Sequence, residues 1–314
     1  MCIRDRLYTA KTDSILVSDL IKEDLEEKYT DFSERTRVLK TIDITKDVED
    51  ITKKVSIKNT SFNVLISGMD SYGTINKTTR NDVNMIATVN PNTNKVLLTS
   101  IPRDYYVQLH GKTGYKDKLT HAGIYGINTV VQTIEDLFGI DINYYVRVNF
   151  TTVESLVNTI GPIEIYSDKA MSLDGCKYVV GTNTVNGKCA LRFARERHSY
   201  VEGDNHRIKN QQEVIKGIFN KLSKSAMVVT DYTSILDSLD GKFATNMDMK
   251  DITAFIKYEL EDITKYEILD TQVTGTGSME LTYSYPHQKL YVMFPSEQSV
   301  ESTKEYINKI SNEK

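Results

Sequence analysis

The chain changes character at Ser61. Residues 7–57 are polar and charge-rich, with helical spacing of apolar positions around Ile15–Leu25 and Arg35–Val55, and the pattern fits either a small helical accessory segment or a stalk. Beyond Ser61, FNVLISGM (62–69) is a short apolar run, partly β-branched, that stops at Asp70 and reads as a buried strand. VNMIATV (83–89) and VLLTSI (96–101) come next, joined by PNTNK, whose Pro91, Asn92 and Asn94 suit a hairpin turn. Ile124, Ile127, Val130, Val131, Ile134, Leu137 and Phe138 repeat at helical spacing and predict an amphipathic helix with one core face. YYVRVNF (144–150) reads as a strand. Thr151 with Glu154 reads as a capping box for a helix over 152–160, and IEIYS comes after Gly161-Pro162 as the next strand. This strand–helix–strand order predicts an α/β layer. A helix from about Arg207 to Leu222 buries Val214, Ile215, Ile218, Phe219 and Leu222. Further helices are expected over 230–239 and 249–262, the latter capped by Asp248, then strands near 265–273 and 289–294 and a final helix capped by Ser296.

These directions have a chemical consequence. If strand 62–69 pairs antiparallel with 83–89, and that strand with 96–101, then Asp70, Arg80, Asp82, Arg103 and Asp104 reach one edge of the sheet. Two carboxylates brought together repel unless a cation lies between them or one takes a proton. Oxygen ligands beside phosphates are the habit of Mg²⁺, which takes one or two carboxylates plus substrate oxygens. A metal among the carboxylates of this edge is therefore expected, ahead of an Asp cap for a loop or an Asp–Arg surface pair.

FARERHSYVEGDNHRIKNQQ (193–212) asks for the same anion. It holds Arg195, Arg197, Asp204, Arg207, Gln211 and Gln212. Arg195 and Arg197 are two apart, so they would diverge on a continuing helix and converge only if the helix ends there. Arginine forks match phosphate oxygens bidentately, and Asp204 would hold them in place. Lys118 stands ahead of the 124–138 helix, either aimed at this anion or solvated. His121 reads as a structural hydrogen-bonder. The GKT at 111–113 is not a nucleotide loop, because Tyr106 stands where its first Gly is required. Helices 124–138 and 214–222 either line a lipid groove beside this site or are plain core.

Composition narrows the classes. The net charge of −4 over 314 residues gives no basic field, so nucleic acid is not an expected partner and the cations must form a local pocket. No run approaches the roughly 18 apolar residues of a membrane span, and no signal-peptide core appears, so the chain reads as soluble, with any membrane anchor lying before Met1. Of the 3 cysteines, Cys2 sits in the odd leader MCIRDR, left out of fold reasoning. Cys176 and Cys189 flank turn-forming GTNTVNG and are either bridged, implying an oxidising compartment, or two unrelated buried thiols. They are not a zinc site, lacking CxxC or a His pair.

LISGMDS, RND, SIPRD, KDKLTHA and RERH…GDNHRIKNQQ, in that order from about Ser61 to Leu222, resemble the LytR-CpsA-Psr family of cell-wall glycopolymer ligases. The resemblance implies an α/β/α sandwich around a central mixed sheet, with residues 1–57 as a small N-terminal accessory segment or stalk and 58–314 as the catalytic domain. It implies a hydrophobic tunnel for a polyprenyl chain and a Mg²⁺-dependent phosphotransferase on the extracytoplasmic face of a Gram-positive membrane. The cargo, teichoic acid or capsular polysaccharide, would pass as a glycan phosphate from a polyprenyl-pyrophosphate carrier to a peptidoglycan sugar hydroxyl.

Carried over by position, Asp70 and Asp82 resemble the metal carboxylates. Arg80, Arg103, Lys118, Arg195, Arg197, Arg207 and Gln211 resemble the pyrophosphate-binding set. Asp204 matches the motif's acid, with Arg103, Arg195 and Arg197 sharing the catalytic role. Asn210 stands where many members carry Arg, and Arg192 where a small neutral residue is usual. The general base is open between Asp204, Asp104 and none. A Mg²⁺-dependent polyprenyl-pyrophosphate phosphatase and a non-catalytic binder of anionic wall polymer are the rival readings.

Overall fold

The computed structural model describes residues 51–75, 78–200, 203–223, 235, 238–248, 251–252 and 266–314. The chain divides into two compact units, 1–51 with 76–78, and 52–75 with 79–314. The second unit contains the central sheet and the helices that cover it. The expected helices around Ile15–Leu25 and in most of Arg35–Val55 lie outside the described residues, as does most of 230–239 and 249–262.

Six strands form the central mixed sheet. They are β1 (Phe62–Met69), β2 (Asn81–Asn90), β3 (Lys95–Ile101), β6 (Tyr144–Val148), β11 (Phe243–Thr245) and β12 (Glu267–Gln272), in the order β11-β6-β1-β2-β3-β12. β1, β2 and β3 run antiparallel in succession, β6 lies parallel to β1 and β12 parallel to β3. Side chains alternate across the sheet. Phe62, Val64 and Ile66 share one face with Val89, Ala87 and Met85, to which they are registered. Leu65, Ile86 and Leu97, all 0% exposed, share the other.

The first face is covered by α2 (Phe150–Ile160), α3 (Gly187–Arg195) and α4 (Asp204–Ser223). The second carries α5 (Glu297–Asn312), which packs on β2 and β3 and against α1 (Ile127–Phe138). Asn90, on that face, donates its side-chain amide to Ile310 O at 2.7 Å and ties the sheet to the last helix. The result is the expected sandwich.

Smaller elements complete the walls. β4 (Tyr106–Val107) and β5 (Asp117–Lys118) pair antiparallel and run into a 3₁₀ segment, Leu119–Tyr125. β7 (Ile163–Ser167) pairs with β10 (Gly181–Val185), and β8 (Met171–Leu173) with β9 (Cys176–Tyr178). β13 (Gly275–Thr282) and β14 (Tyr285–Pro295) form a hairpin. Cys176 and Cys189 are joined in a disulfide beside a second hydrophobic cluster containing Tyr178, Phe193, Val157 and Val214.

Four expectations change. β7 does not continue the central sheet after β6 and α2; its partner is β10, so this strand–helix–strand is not a crossover within one sheet. The cap of α2 is Asn149, whose side chain accepts Thr152 N–H at 3.0 Å while Thr152 Oγ1 accepts Asn149 N–H, also at 3.0 Å. β6 ends at Val148, so this Asn-x-x-Thr box comes into place two residues before Thr151 could act. Ile124 is outside α1, in the 3₁₀ turn, and 41% exposed. β13 carries Gly275 and Gly277, which dilute the strand signal that would have announced it. By contrast, Ser296 caps α5 as expected, and Asp248 Oδ1 accepts Asp251 N–H at 2.9 Å.

Candidate functional site at the carboxyl edge of the sheet

β1 and β3 stop, and β2 starts, at one edge. Met69 is registered with Asn81 and Asn84 with Ile101. Asp70, Arg80, Asp82, Arg103 and Asp104 therefore emerge together, as the strand directions require. Arg80 is exposed. Arg103 Nη1 donates to Asp82 Oδ2 at 2.8 Å, and its Nε lies 3.7 Å from Asp104 Oδ2. Lys118 Nζ donates to Asp104 Oδ1 at 2.8 Å. Carboxylate and cation thus alternate from Asp82 to Lys118, their side chains 12–21% exposed. Mutual repulsion of the two acids is offset by the cations between and beside them. The loop is tied down independently: Thr120 donates its hydroxyl to Asp82 Oδ1 at 2.9 Å and its N–H to Arg103 O at 2.8 Å. Gly123 closes the same corner. Its N–H donates to Asn81 Oδ1 at 2.8 Å, and a Cβ there would run into Thr79 O and that same Oδ1.

The arginine stretch supplies the opposite wall. α3 ends at Arg195, as the two-residue spacing to Arg197 suggested. Arg195 Cζ sits 4.1 Å from the centroid of the Phe150 ring, and its Nη1 donates to Tyr72 Oη at 3.3 Å. Tyr72 meets Phe150 edge-on, with ring centroids 5.0 Å apart. A guanidinium held over an aromatic face keeps its charge while its orientation is fixed. Arg197 is exposed beyond the helix end, its Nε 3.4 Å from His198 Nε2. Asp204 opens α4, and its side chain lies outside the described residues. Arg207, 8% exposed, and Gln211 are four apart on α4 and share a face. Of the two departures from the family pattern, Arg192 pairs with Asp174 at 3.0 Å, and Asn210 is buried on α4.

Between these walls opens an apolar cavity of about 490 Å³. Its floor is one face of the sheet, Val64, Ile66 and Gly68 with Ala87, Val89, Val96, Leu98, Val146 and Val148. Its roof is Leu156 of α2, Leu191 of α3, and Val214, Ile215, Ile218 and Phe219 of α4. Asp70, Asp82, Arg195 and Gln211 also line it, so a long apolar slot carries its charged groups where the strands end. Of the two helices suited to a lipid groove, 214–222 does line this slot. The 124–138 helix is not among the lining residues; α1 packs against α5 and is core.

Asp70 and Asp82 are the carboxylates that line the slot. Among the described residues no group of three or more His, Cys, Asp and Glu comes together. Two carboxylates beside a cationic anion pocket are a partial donor set, the kind Mg²⁺ completes with phosphate oxygens and water. The residues fit such an ion held jointly with substrate.

Sequence reasoning missed three groups. Tyr72, in the loop after β1, and Phe150, the first residue of α2, are far from Arg195 in sequence, and no local signal links them to it. Asp117, 0% exposed, accepts from His121 Nδ1 at 2.6 Å and from Ser284 Oγ at 2.5 Å, tying the Lys118 loop to the β13–β14 turn. Burial alone would raise the Asp117 carboxyl; the His121 and Ser284 hydrogen bonds outweigh it and hold the group below the usual carboxylate range. His121 is the structural hydrogen-bonder it was expected to be.

The sequence profile of the LytR_cpsA_psr family matches residues 27–308. The chain is 32% identical over 255 residues to the Polyisoprenyl-teichoic acid--peptidoglycan teichoic acid transferase TagU of Enterococcus faecalis, covering 79% of this chain and 82% of that protein. With the Bacillus subtilis TagU the identity is 34% over 231 residues, 72% of each. Among solved structures, Lin1025 from Listeria innocua superposes with a TM-score of 0.66 at 30% identity, over 82% of this chain and all of that one. A structure of TagT bound to LI-WTA superposes with a TM-score of 0.64 at 25% identity, over 84% of this chain and 95% of that one.

Proposed function

The chain belongs to the LytR-CpsA-Psr family, and on that premise we propose that it is a glycopolymer transferase that moves a glycan phosphate from a polyprenyl-pyrophosphate carrier to a peptidoglycan sugar hydroxyl. The observation that carries this reading is the pairing of an apolar slot with a charged mouth. The slot suits a polyprenyl chain, and Asp70, Asp82, Arg195 and Gln211 stand where its pyrophosphate would emerge. The TagU relatives are named as teichoic acid transferases, which favours teichoic acid as cargo. The place of action would be the outer face of a Gram-positive membrane; among the described residues no helix is long and apolar enough to span one.

Phosphoryl transfer asks the protein for positioning and charge stabilisation more than for covalent work. The acceptor hydroxyl oxygen bonds to the glycan-bearing phosphorus. The bond from that phosphorus to the bridging oxygen breaks, and polyprenyl phosphate leaves with the electron pair. Arg103 is oriented by Asp82 and Asp104, and Arg195 by Phe150 and Tyr72, so both guanidiniums are set before substrate arrives. Arg80, Arg197, Arg207, Lys118 and Gln211 add charge and donors around the same anion. A Mg²⁺ held by Asp70 and Asp82 would neutralise the developing charge on the leaving phosphate. Asp104 and Asp204 are the candidate acceptors of the hydroxyl proton.

The test is release of polyprenyl phosphate from a synthetic polyprenyl-pyrophosphate glycan, with peptidoglycan oligomers present. Wild type with Mg²⁺ should release it and label the oligomer. Chelator, Asp82→Ala and Arg103→Ala should each lower transfer by roughly 10²–10³-fold, the usual cost of losing one pre-set charge stabiliser. Release without labelled oligomer would instead make the protein a pyrophosphatase.

A further inference from the structure

α4 separates two cavities. Gln211, Val214, Ile215 and Ile218 face the apolar slot, while His206, Asn210, Glu213 and Lys216 face a second cavity of about 300 Å³ against the edge strand β12. That volume is at the lower end of small-molecule sites, which run from roughly 300 to 1,000 Å³.

The walls of the second cavity select a ligand by exclusion. They are built from polar and charged residues, without the aliphatic side chains that line the slot. Most of their charges are already matched: Lys216 Nζ pairs with Glu213 Oε1 at 3.2 Å and with Asp270 Oδ1, and His206 Nε2 lies 3.4 Å from Asp168 Oδ1. Burial would lower the Lys216 ammonium, but Asp270 and Glu213 hold it above its ordinary value. Three carboxylates against two lysines make a poor phosphate site. What the cavity does offer is neutral hydrogen bonding from the Gln272 amide and from the amide oxygens of Asn210 and Gln212, whose nitrogens donate to Glu196 O and Thr271 O. It also has an aromatic rim: Tyr166 is 55% exposed at its edge. Amides matched to hydroxyls, with a ring face for the apolar side of a pyranose, are the chemistry that recognises a neutral sugar.

Its position fits the transfer site. Gln272 ends β12, registered with Ser100 at the edge of the sheet where Arg103 comes after β3. One helix separates the cavity from the slot, a thickness of about 10 Å, which is a short reach for an oligosaccharide.

We propose that this cavity is a saccharide subsite of the transfer site, holding a neutral sugar ring of either the acceptor glycan strand or the donor glycan. The inference rests on the transferase reading for its role, but sugar binding itself does not. The probes are a tetrasaccharide of uncross-linked peptidoglycan strand and, separately, the donor glycan cut from its lipid. Binding to the full chain would be measured by saturation-transfer NMR for wild type, Tyr166→Ala and Gln272→Ala, with melting temperatures to confirm folding.

One of the two oligosaccharides should bind wild type, with its Kd raised about tenfold in both variants. In the transfer assay KM should rise by the same factor for that partner alone, with kcat unchanged; the partner affected identifies the source of the sugar. Saccharide affinities unchanged in both folded variants would overturn the subsite, and so would binding of neither oligosaccharide to wild type. Tyr166-dependent sugar binding without any transfer would keep the subsite and sink the transferase reading.

Discussion

Both faces of the central sheet are buried, yet one meets its helix directly and the other floors a slot. On the α5 side the inward residues include Leu65, Ile86 and Leu97, each 0% exposed. On the other side the same strands present Val64, Gly68, Ala87, Val89 and Val96, with Val146 and Val148 from β6. A slot of about 490 Å³ separates this floor, which Phe62, Ile66 and Leu98 share, from the roof helices. Missing atoms on one face forfeit dispersion contacts that the other face keeps. The packed face should therefore carry stability and the open face should carry ligand.

The contrast breaks most severely on the packed side. Leu97→Ala removes three carbons from a site with no room to relax into, and should cost about 2–5 kcal/mol. Urea unfolding of the two proteins measures this. A loss under about 1 kcal/mol would mean that stability does not rest on the α5 face.

The open side depends on its roof, and the roof has a separate anchor. Cys176 is bridged to Cys189 of α3, the helix that ends in Arg195. Reduction should cost roughly 2–4 kcal/mol on the chain-entropy account. It should lower the melting temperature and, because α3 positions Arg195, also slow polyprenyl phosphate release. An unchanged melting temperature once free thiols have been detected would sink the bridge.

What the sequence allowed to be read divides along the same line. Strand order in β1–β3 comes from a hairpin turn and two apolar runs, so the meeting of Asp70, Arg80, Asp82, Arg103 and Asp104 at one edge was legible by counting directions. The end of α3 at Arg195 was legible from a two-residue spacing that no continuing helix makes useful. The slot was not legible, because period-2 alternation looks the same for a face that is filled and for one that is open. For that reason helices 124–138 and 214–222 looked equally suited to lipid, and only the fold separates core α1 from roof α4. The Tyr72–Phe150–Arg195 stack and the Asp117–Ser284 tie join residues far apart in sequence, which carry no local pattern.

Acid should loosen the mouth before either face of the sheet. Asp117 is the buried carboxylate that joins the Lys118 loop to the β13–β14 turn, and its folded-state pKa is depressed. A depressed carboxylate contributes stability above its unfolded pKa and loses it as pH falls through the folded value. The stability from this tie should be complete above about pH 5 and decline below about pH 4. Melting temperatures from about pH 6 to about pH 3 should show the decline in wild type and a shallower one in Asp117→Asn. Equal slopes would assign the acid sensitivity to other carboxylates.

The smallest effect on stability should come from filling the slot. Ala87 is 8% exposed and faces the slot from the middle of β2. The carbons added in Ala87→Leu would enter space rather than displace neighbours, so overpacking costs of about 1–3 kcal/mol should not appear. The melting temperature should stay near that of wild type while KM rises for long polyprenyl donors and not for truncated ones. The opposite pattern, a large loss of stability with no preference for chain length, would mean that the slot closes in solution and that the two faces of the sheet are packed alike.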